Sequence, residues 1–217
     1  MRQDNVYTFV VNEFATNCYI YRDEFSQKVI IIDPGGEEKS IINFLQKNNF
    51  IPQYVVLTHG HYDHIKSLEE ILDFYPVDVV IHEDELDLIL DDSKNLSLFL
   101  GQSCIRDAEK INWLKVKDND IIFCGEQKIK VIHTPGHTKG SICLYVEDKY
   151  LFTGDTLFCG SVGRTDFPTG DISQLDESLK KIFSLPDNTI FFPGHQQHCS
   201  LKNEKLHNPF IKFVRKI

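Results

Sequence analysis

Four things are missing from this chain, and each absence closes off a class of roles. No stretch approaches the ~18 consecutive apolar residues of a membrane-spanning helix. The opening "MRQDNVYTFVVNEF" holds no uninterrupted apolar segment of signal-peptide length. A soluble, cytoplasmic protein without membrane contact is therefore expected. Paired cysteines are missing too. The six (Cys18, Cys104, Cys124, Cys143, Cys159, Cys199) include no CxxC, and several lie in apolar runs such as "IIFCGE" and "SICLYV". They read as reduced interior residues rather than a disulfide framework. Positive charge is scarce: 23 Lys and Arg stand against 32 Asp and Glu, for a net charge of −9 and a pI near 5.4. That balance disfavours nucleic acid as a partner, since such binding needs clustered Lys and Arg to release counterions. Finally, there is no nucleophile elbow. "CGSVG" places Ser161 near two glycines but misses GxSxG, and Cys159 beside it has no evident partner base.

What is present suits one domain over residues 1–217, with 41% hydrophobic content to fill a core and no polar or repetitive linker. Short runs rich in Val, Ile, Phe and Tyr predict strands: "NCYIY", "KVIIID", "YVVLTH", "VDVVIH", "KIKVIHT", "SICLYV", "KYLFTGD" and "NTIFFPGH". Apolar residues at helical spacing predict helices in "KSIINFLQKNN", "IKSLEEILDFY" and "ISQLDESLKKIFSL". A further helix is expected in "DELDLILDDSKNLSLFLGQSC", with poorly marked ends. The alternation implies an α/β layered domain. A strand ending in Asp, a helix and a strand ending in His occur twice, as "VIIIDPGG" to "YVVLTHGH" and "YLFTGD" to "TIFFPGHQQH". Two similar halves packed face to face would account for it.

Asp and His recur immediately after these strands, in Gly- or Pro-containing loops. "THGHYDHIKS" carries His59, His61, Asp63 and His64, "HTPGHTKG" carries His137, "FTGDTLF" carries Asp155 and "FFPGHQQH" carries His195. Functional groups gather at the carboxyl ends of strands in open α/β sheets, where distant loops converge. Singly, His195 or Asp155 would pass for a turn residue. The cluster at 59 to 64 leaves its loop little else to do. Together the donors exceed the needs of one tetrahedral ion and suit two divalent ions, zinc first, with iron or manganese as alternatives. His59, His61 and His137 would hold one, Asp63, His64 and His195 the other, and Asp155 would bridge. His82, His133, His198 and His207 are read as strand-end or surface residues without a cluster of their own. Asp33 is read as a structural hydrogen-bonding residue in a Pro-Gly turn.

These residues resemble the metallo-β-lactamase superfamily. "THGHYDH" fits its HxHxDH signature, and "TPGHT", "TGDTLF" and "PGH" follow in order, so the likeness covers nearly the whole chain. It implies a four-layer αββα sandwich with metals at one edge of the two sheets. Within the superfamily, "GDTLFCGSVGRTDFPTGD", "LPDNTIFFPGH" and "NEKLHNPF" are similar to short bacterial glyoxalase II-like hydrolases. The longer enzymes carry a C-terminal helical region that helps to bind glutathione, and no such region is expected here. Secreted lactamases have Cys where Asp155 stands. The persulfide dioxygenase branch shares the "GRTDF" element, uses one iron, which here would fall to His59, His137 and Asp155, and usually has Ala in place of Gly194.

The resemblance implies hydrolysis of a small-molecule thioester, S-lactoylglutathione or a relative, by a hydroxide between the metals that Asp63 and Asp155 orient. Arg164 of "GRTDF" has two readings, a receiver of a substrate carboxylate or half of a salt bridge that fixes the loop beside Asp155. Lys139 reads as an exposed loop residue. Gln196 stands where relatives often have Gly, and His198 follows closely, so altered surroundings are expected for the second ion. A binding or sensor module that retains the fold without turnover is the non-enzymatic alternative, disfavoured by a complete donor set.

Overall fold

The computed structural model describes residues 2–3, 5–147 and 149–211. Seven strands form the first sheet in chain order: β1 (Arg2–Gln3), β2 (Val6–Val11), β3 (Thr16–Arg22), β4 (Lys28–Ile32), β5 (Ile51–Val56), β6 (Asp78–His82) and β7 (Trp113–Val116). The second sheet contains β8 (Ile121–Cys124), β9 (Gln127–His133), β10 (Ile142–Val146), β11 (Tyr150–Gly154), β14 (Ile190–Pro193) and β15 (Cys199–Ser200), in the spatial order β15-β14-β11-β10-β9-β8. A small hairpin, β12 (Leu157–Phe158) and β13 (Ser161–Val162), stands apart. The helices are α1 (Glu38–Lys47), α2 (Tyr62–Ile65), α3 (Leu68–Phe74), α4 (Leu86–Ile89), α5 (Ile172–Phe183) and α6 (Leu201–His207).

Why the predicted strands read as continuous apolar runs is visible in β4. Ile30 and Ile32 enter the core between the sheets, while Val29 and Ile31 face the helices on the outside. Strand β10 repeats the arrangement, with Ile142, Leu144 and Val146 between the sheets and Cys143 and Tyr145 toward α5. Strands covered on both faces have no polar side to alternate with. The layers are therefore helices α1 and α3, first sheet, second sheet, and helix α5, as the αββα expectation required.

The doubled phrase in the sequence is also a doubled piece of topology. Strands β2, β3 and β4 each run antiparallel to the next, and β4 pairs parallel with β5 across α1. Strands β9, β10 and β11 run antiparallel and β11 pairs parallel with β14 across α5. Each parallel pair ends at the same rim, where its loops bring Asp and His together.

Two helix expectations change. The helix expected near Ile65 starts at Tyr62 instead, so Asp63 and His64 stand on a helical turn, and a break at Lys66–Ser67 precedes α3. "DELDLILDDSKNLSLFLGQSC" is not one helix but α4 followed by turns and a 3-10 turn at Ser97–Leu100. The cause is local: Asp91 Oδ1 accepts the Ser93 N–H at 3.0 Å and Asn95 Oδ1 accepts the Ser97 N–H at 2.9 Å. Such side-chain bonds compete with the helical ladder. No helix of the described residues is long and apolar enough to cross a membrane.

Candidate metal centre

All seven predicted donors meet at the rim. His59 and His61 leave the end of β5, Asp63 and His64 ride on α2, His137 follows β9, Asp155 follows β11 and His195 follows β14. Donor atoms of His59, His61 and His137 lie within 4.8 Å of one another, as do those of Asp63, His64 and His195, and those of His59, His64 and Asp155. The Asp155 carboxylate stands between the groups, 3.4 Å from His64 Nε2, 3.6 Å from His137 Nε2 and 3.5 Å from His195 Nε2. Asp155 thus stands within reach of both donor groups.

A ring of oxygen acceptors sets the imidazoles. His64 Nδ1 bonds Asp33 Oδ2 at 3.0 Å, His137 Nδ1 the Arg164 carbonyl at 2.7 Å, and His195 Nδ1 the Phe14 carbonyl at 3.2 Å. With each Nδ1–H donating outward, Nε2 of each ring faces the centre, where loss of any proton it carries frees a lone pair for a cation. Asp33 also accepts the Thr58 N–H at 2.7 Å and the Thr58 hydroxyl at 2.6 Å, so it fixes the residue before His59 as well. Thr16 donates to Asp63 Oδ2 at 2.6 Å and Asn12 donates to the Asp63 carbonyl at 2.8 Å. Gly35, in the Pro-Gly turn, lets that backbone come close: a Cβ there would sit 1.6 Å from the Asp63 carbonyl oxygen.

The two halves are stitched together at this point. Asn17 N–H donates to the Gly194 carbonyl at 2.7 Å, Asn17 Nδ2 to the Pro193 carbonyl at 3.0 Å, and the Tyr19 hydroxyl to the same carbonyl at 2.6 Å. Thr16 and His195 form an isolated antiparallel bridge.

Electrostatics divides the donors. Burial, reinforced by neighbouring imidazoles, holds His59 and His61 well below the ordinary imidazole range, His61 at about 3, and burial lowers His137 too. All three are neutral, the form that ligates. Burial also opposes charge on His64 and His195, but Asp63 and Asp155 outweigh it and lift them to about 9 and about 10. The same imidazoles overcome burial and hold both carboxylates below the usual range. Negative potential is thus concentrated on the Asp63–Asp155 side, where protons compete with a cation.

Do these residues fit metal ions? Nε2 of His59, His61 and His64 and Oδ1 of Asp155 are buried without a hydrogen-bond partner. Buried polar atoms are ordinarily satisfied; His64 Nε2 and Asp155 Oδ1, left so 3.4 Å from each other, and His61 Nδ1, set 2.9 Å from His137 Nε2, are what a set of ligands looks like. The chemistry of the set, imidazole plus carboxylate, suits zinc, iron or manganese. Asp33→Ala, which removes the support of His64 and Thr58 but no donor, is expected to weaken metal affinity by about 10–100-fold. Competition against a chromogenic chelator measures it, and unchanged affinity would show that Asp33 does not position the donors.

Other residues fall outside the donor set. Arg164 lines the cavity above the donors, yet its Nε and one terminal nitrogen each donate to Asp166 at 2.7 Å, and it lies 3.7 Å over the Phe167 ring. The salt-bridge reading describes that geometry. Lys139 is exposed and pairs with Asp84 at 3.0 Å. Gln196 adopts a φ of +69°, which explains why Gly is common there. His198 packs by Phe192. The expectation that His82 and His133 lack a cluster is corrected: their rings stack at 3.8 Å beside Asp84, because β6 and β9 end at facing points. Cys159 and Cys199, far apart in sequence, meet beside Glu204. Sequence reasoning missed Glu85, whose fully buried carboxylate accepts the Gly60 N–H at 2.9 Å, the Thr138 hydroxyl at 2.9 Å and the Gly140 N–H at 2.7 Å. No signal marked it, since it stands among Glu83, Asp84 and Asp87.

Comparison with known proteins follows the same lines. The family model described as metallo-beta-lactamase superfamily matches residues 11–195. The probable metallo-hydrolase YqgX of Bacillus subtilis is 34% identical, with 93% of this chain and 94% of that protein aligned. The hydroxyacylglutathione hydrolase GloC of Haemophilus influenzae is 30% identical over 95% and 98%. Among solved structures, the B3 metallo-beta-lactamase BLEG-1 superposes with a TM-score of 0.88 at 32% identity, covering 95% of this chain and 99% of its own. A di-iron-bound form of TTHA1623 gives 0.84 at 28% identity over 94% and 100%.

Proposed function

Since this chain belongs to the metallo-beta-lactamase superfamily, on its glyoxalase II-like side, we propose that it is a metal-dependent hydrolase of small acyl thioesters. His59, His61 and His137 would hold one divalent ion, Asp63, His64 and His195 a second, zinc first, with Asp155 shared. When bound, such ions lower the pKa of water toward neutrality and polarise a carbonyl oxygen.

The observation that carries the thioester reading is the lack of a spare acid. Outside the donor set, the titratable side chains lining the cavity among the described residues are Tyr62 and Arg164. The Tyr62 hydroxyl donates to Gln102 at 2.6 Å and Arg164 is held by Asp166. A leaving group that needs protonation finds no donor, whereas a thiol with a pKa near ~8.5 departs as thiolate. Within the donor set, Thr16 and His195 hold Asp63, 2.6 and 3.2 Å away, in one orientation. Phe14, Phe158 and Phe167 wall the cavity and limit its water.

The test is metal content per chain in protein purified without added metal, together with thiol release from S-D-lactoylglutathione and from acetyl-N-acetylcysteamine. Two ions per chain and metal-dependent thiol release are expected. One iron per chain with oxygen uptake on glutathione persulfide would replace this reading with the dioxygenase one. Gly194 bears on the same choice, since a Cβ there would lie 2.2 Å from Asp155 Oδ1 and 2.7 Å from His64 Cε1. Gly194→Ala is expected to displace both side chains and lower thioester turnover by about tenfold or more, roughly 1.4 kcal/mol of barrier. Wild-type rates and metal content in that variant would show the contact to be irrelevant.

A further inference from the structure

One stretch of cavity wall comes from a segment that gives no residue to the donor set. The cavity measures about 520 Å³ and includes Leu96 and Leu100, from the turns that follow α4. This size falls among small-molecule sites of ~300–1,000 Å³. The segment is built from beneath. Asn95 and Ser97 are fully buried. Asn95 Nδ2 donates to the Ile89 carbonyl at 2.9 Å, and the Asn95 carbonyl accepts the Tyr62 N–H, next to Asp63, at 2.8 Å. Between these two anchors Leu96 takes a φ of +73°. A left-handed backbone disfavours L side chains and favours Gly, so strain is retained here with an apolar side chain at the cavity edge. Leu98, Phe99 and Leu100 continue the apolar surface outward, at 59%, 77% and 42% exposure. Phe158 and Val162 of the β12–β13 hairpin add apolar lining. Arg164 is the only lining Lys or Arg of the described residues, and Asp166 holds it.

Resting on the thioester reading above, we infer that the acyl group of the substrate is a hydrocarbon chain, rather than a hydroxylated or charged one, and that it extends from the donors along Leu96 and Leu100. Continuity of this wall with the donor cavity selects the acyl chain as its occupant. Burying one methylene is worth about a fourfold gain.

The test uses metal-loaded protein and a series of acetyl, butyryl, hexanoyl and octanoyl thioesters of N-acetylcysteamine. In parallel, calorimetry measures binding of the matching ketone analogues, in which a CH2 separates carbonyl from sulfur and hydrolysis is blocked. Expected are rises in kcat/KM and falls in Kd of about fourfold per methylene until the wall is filled. Leu100→Gln changes an exposed side chain and Leu96→Gly removes the backbone strain, so both fold. Each is expected to lower the hexanoyl-to-acetyl ratio of kcat/KM at least tenfold. Chain-length-dependent ketone binding without turnover of any thioester would retain the hydrocarbon site and remove the thioester reading. Flat profiles in both series would overturn the inference while thioester turnover stands. A dimer in sedimentation equilibrium that Leu100→Gln dissociates would also overturn it, by assigning the wall to a second copy.

Discussion

Asp155→Asn is expected to lower kcat/KM for any thioester by on the order of a thousandfold, about 4 kcal/mol of transition-state stabilisation. Metal content is expected to fall from two ions toward one. The substitution keeps the shape of the side chain and removes its charge, so packing beneath it does not change. What changes is the anion lying 3.4 to 3.6 Å from three imidazoles of both donor groups. An amide offers one weaker oxygen and a nitrogen that repels a cation. Near-UV circular dichroism should report an intact fold, and elemental analysis the lost ion. Full metal content with activity within about twofold of wild type would refute Asp155 as the shared donor.

Glu85→Ala is expected to cost the most stability. Its carboxylate ties the N–H between His59 and His61 to the hydroxyl and N–H that follow His137, joining loops from the two sheets. Alanine leaves the buried Gly60 and Gly140 N–H groups without an acceptor, at ~1–3 kcal/mol each, besides the lost packing, while the Thr138 hydroxyl keeps Ser141 Oγ at 2.7 Å. A loss of about 3–6 kcal/mol corresponds to a fall in Tm of about 10–20 °C for a chain of this size, which thermal unfolding measures directly. A Tm within about 3 °C of wild type would show that the interior relaxes around the gap. A pH signature separates charge from packing. Burial lifts the Glu85 carboxyl from 4.5 to about 7, against the three hydrogen bonds that lower it. The folded chain then binds this proton more tightly than the unfolded chain, so its contribution to stability falls as pH rises from about 4.5 to 7, by about 3 kcal/mol in metal-free protein. Glu85→Gln lacks the group and should lack that part of the slope in urea titrations at pH 5 and 8.

Legibility in the sequence followed physical cause. Strands such as "VIIID" and "ICLYV" were readable because both faces are dry, so nearly every residue is apolar. Helix α5 was readable because Leu175, Leu179 and Ile182 bury one face and Asp171 caps its start by accepting from Ser173 and Gln174. Residues 84 to 104 misled, since leucines at mixed spacing suggest a helix and the hydrogen bonds of Asp91 and Asn95 that break it carry no periodic mark. The donors were readable because His and Asp ending apolar strands have few other uses. Their supports were not: Thr16, Asn12 and Glu85 act by bonding loops remote in sequence, and any polar residue could have stood there. Cys159 with Cys199, and His82 with His133, are pairs that only the sheet order brings together.

The stitches between β3 and the β14 loop have a consequence in time. With the His195–Phe14 bond they join residues 174 to 181 positions apart, so the centre depends on contacts with a high loop-closure cost, which are expected to form late. His59, His61, Asp63 and His64 come within reach of one another as soon as β5 and α2 exist. Asp155 and His195 join them only when the second sheet docks. If the proposed donors hold an ion, the early cluster alone would give it only part of its ligands, and the completed set would tie the two halves of the chain together, a non-covalent crosslink that would stabilise the native state in proportion to its occupancy.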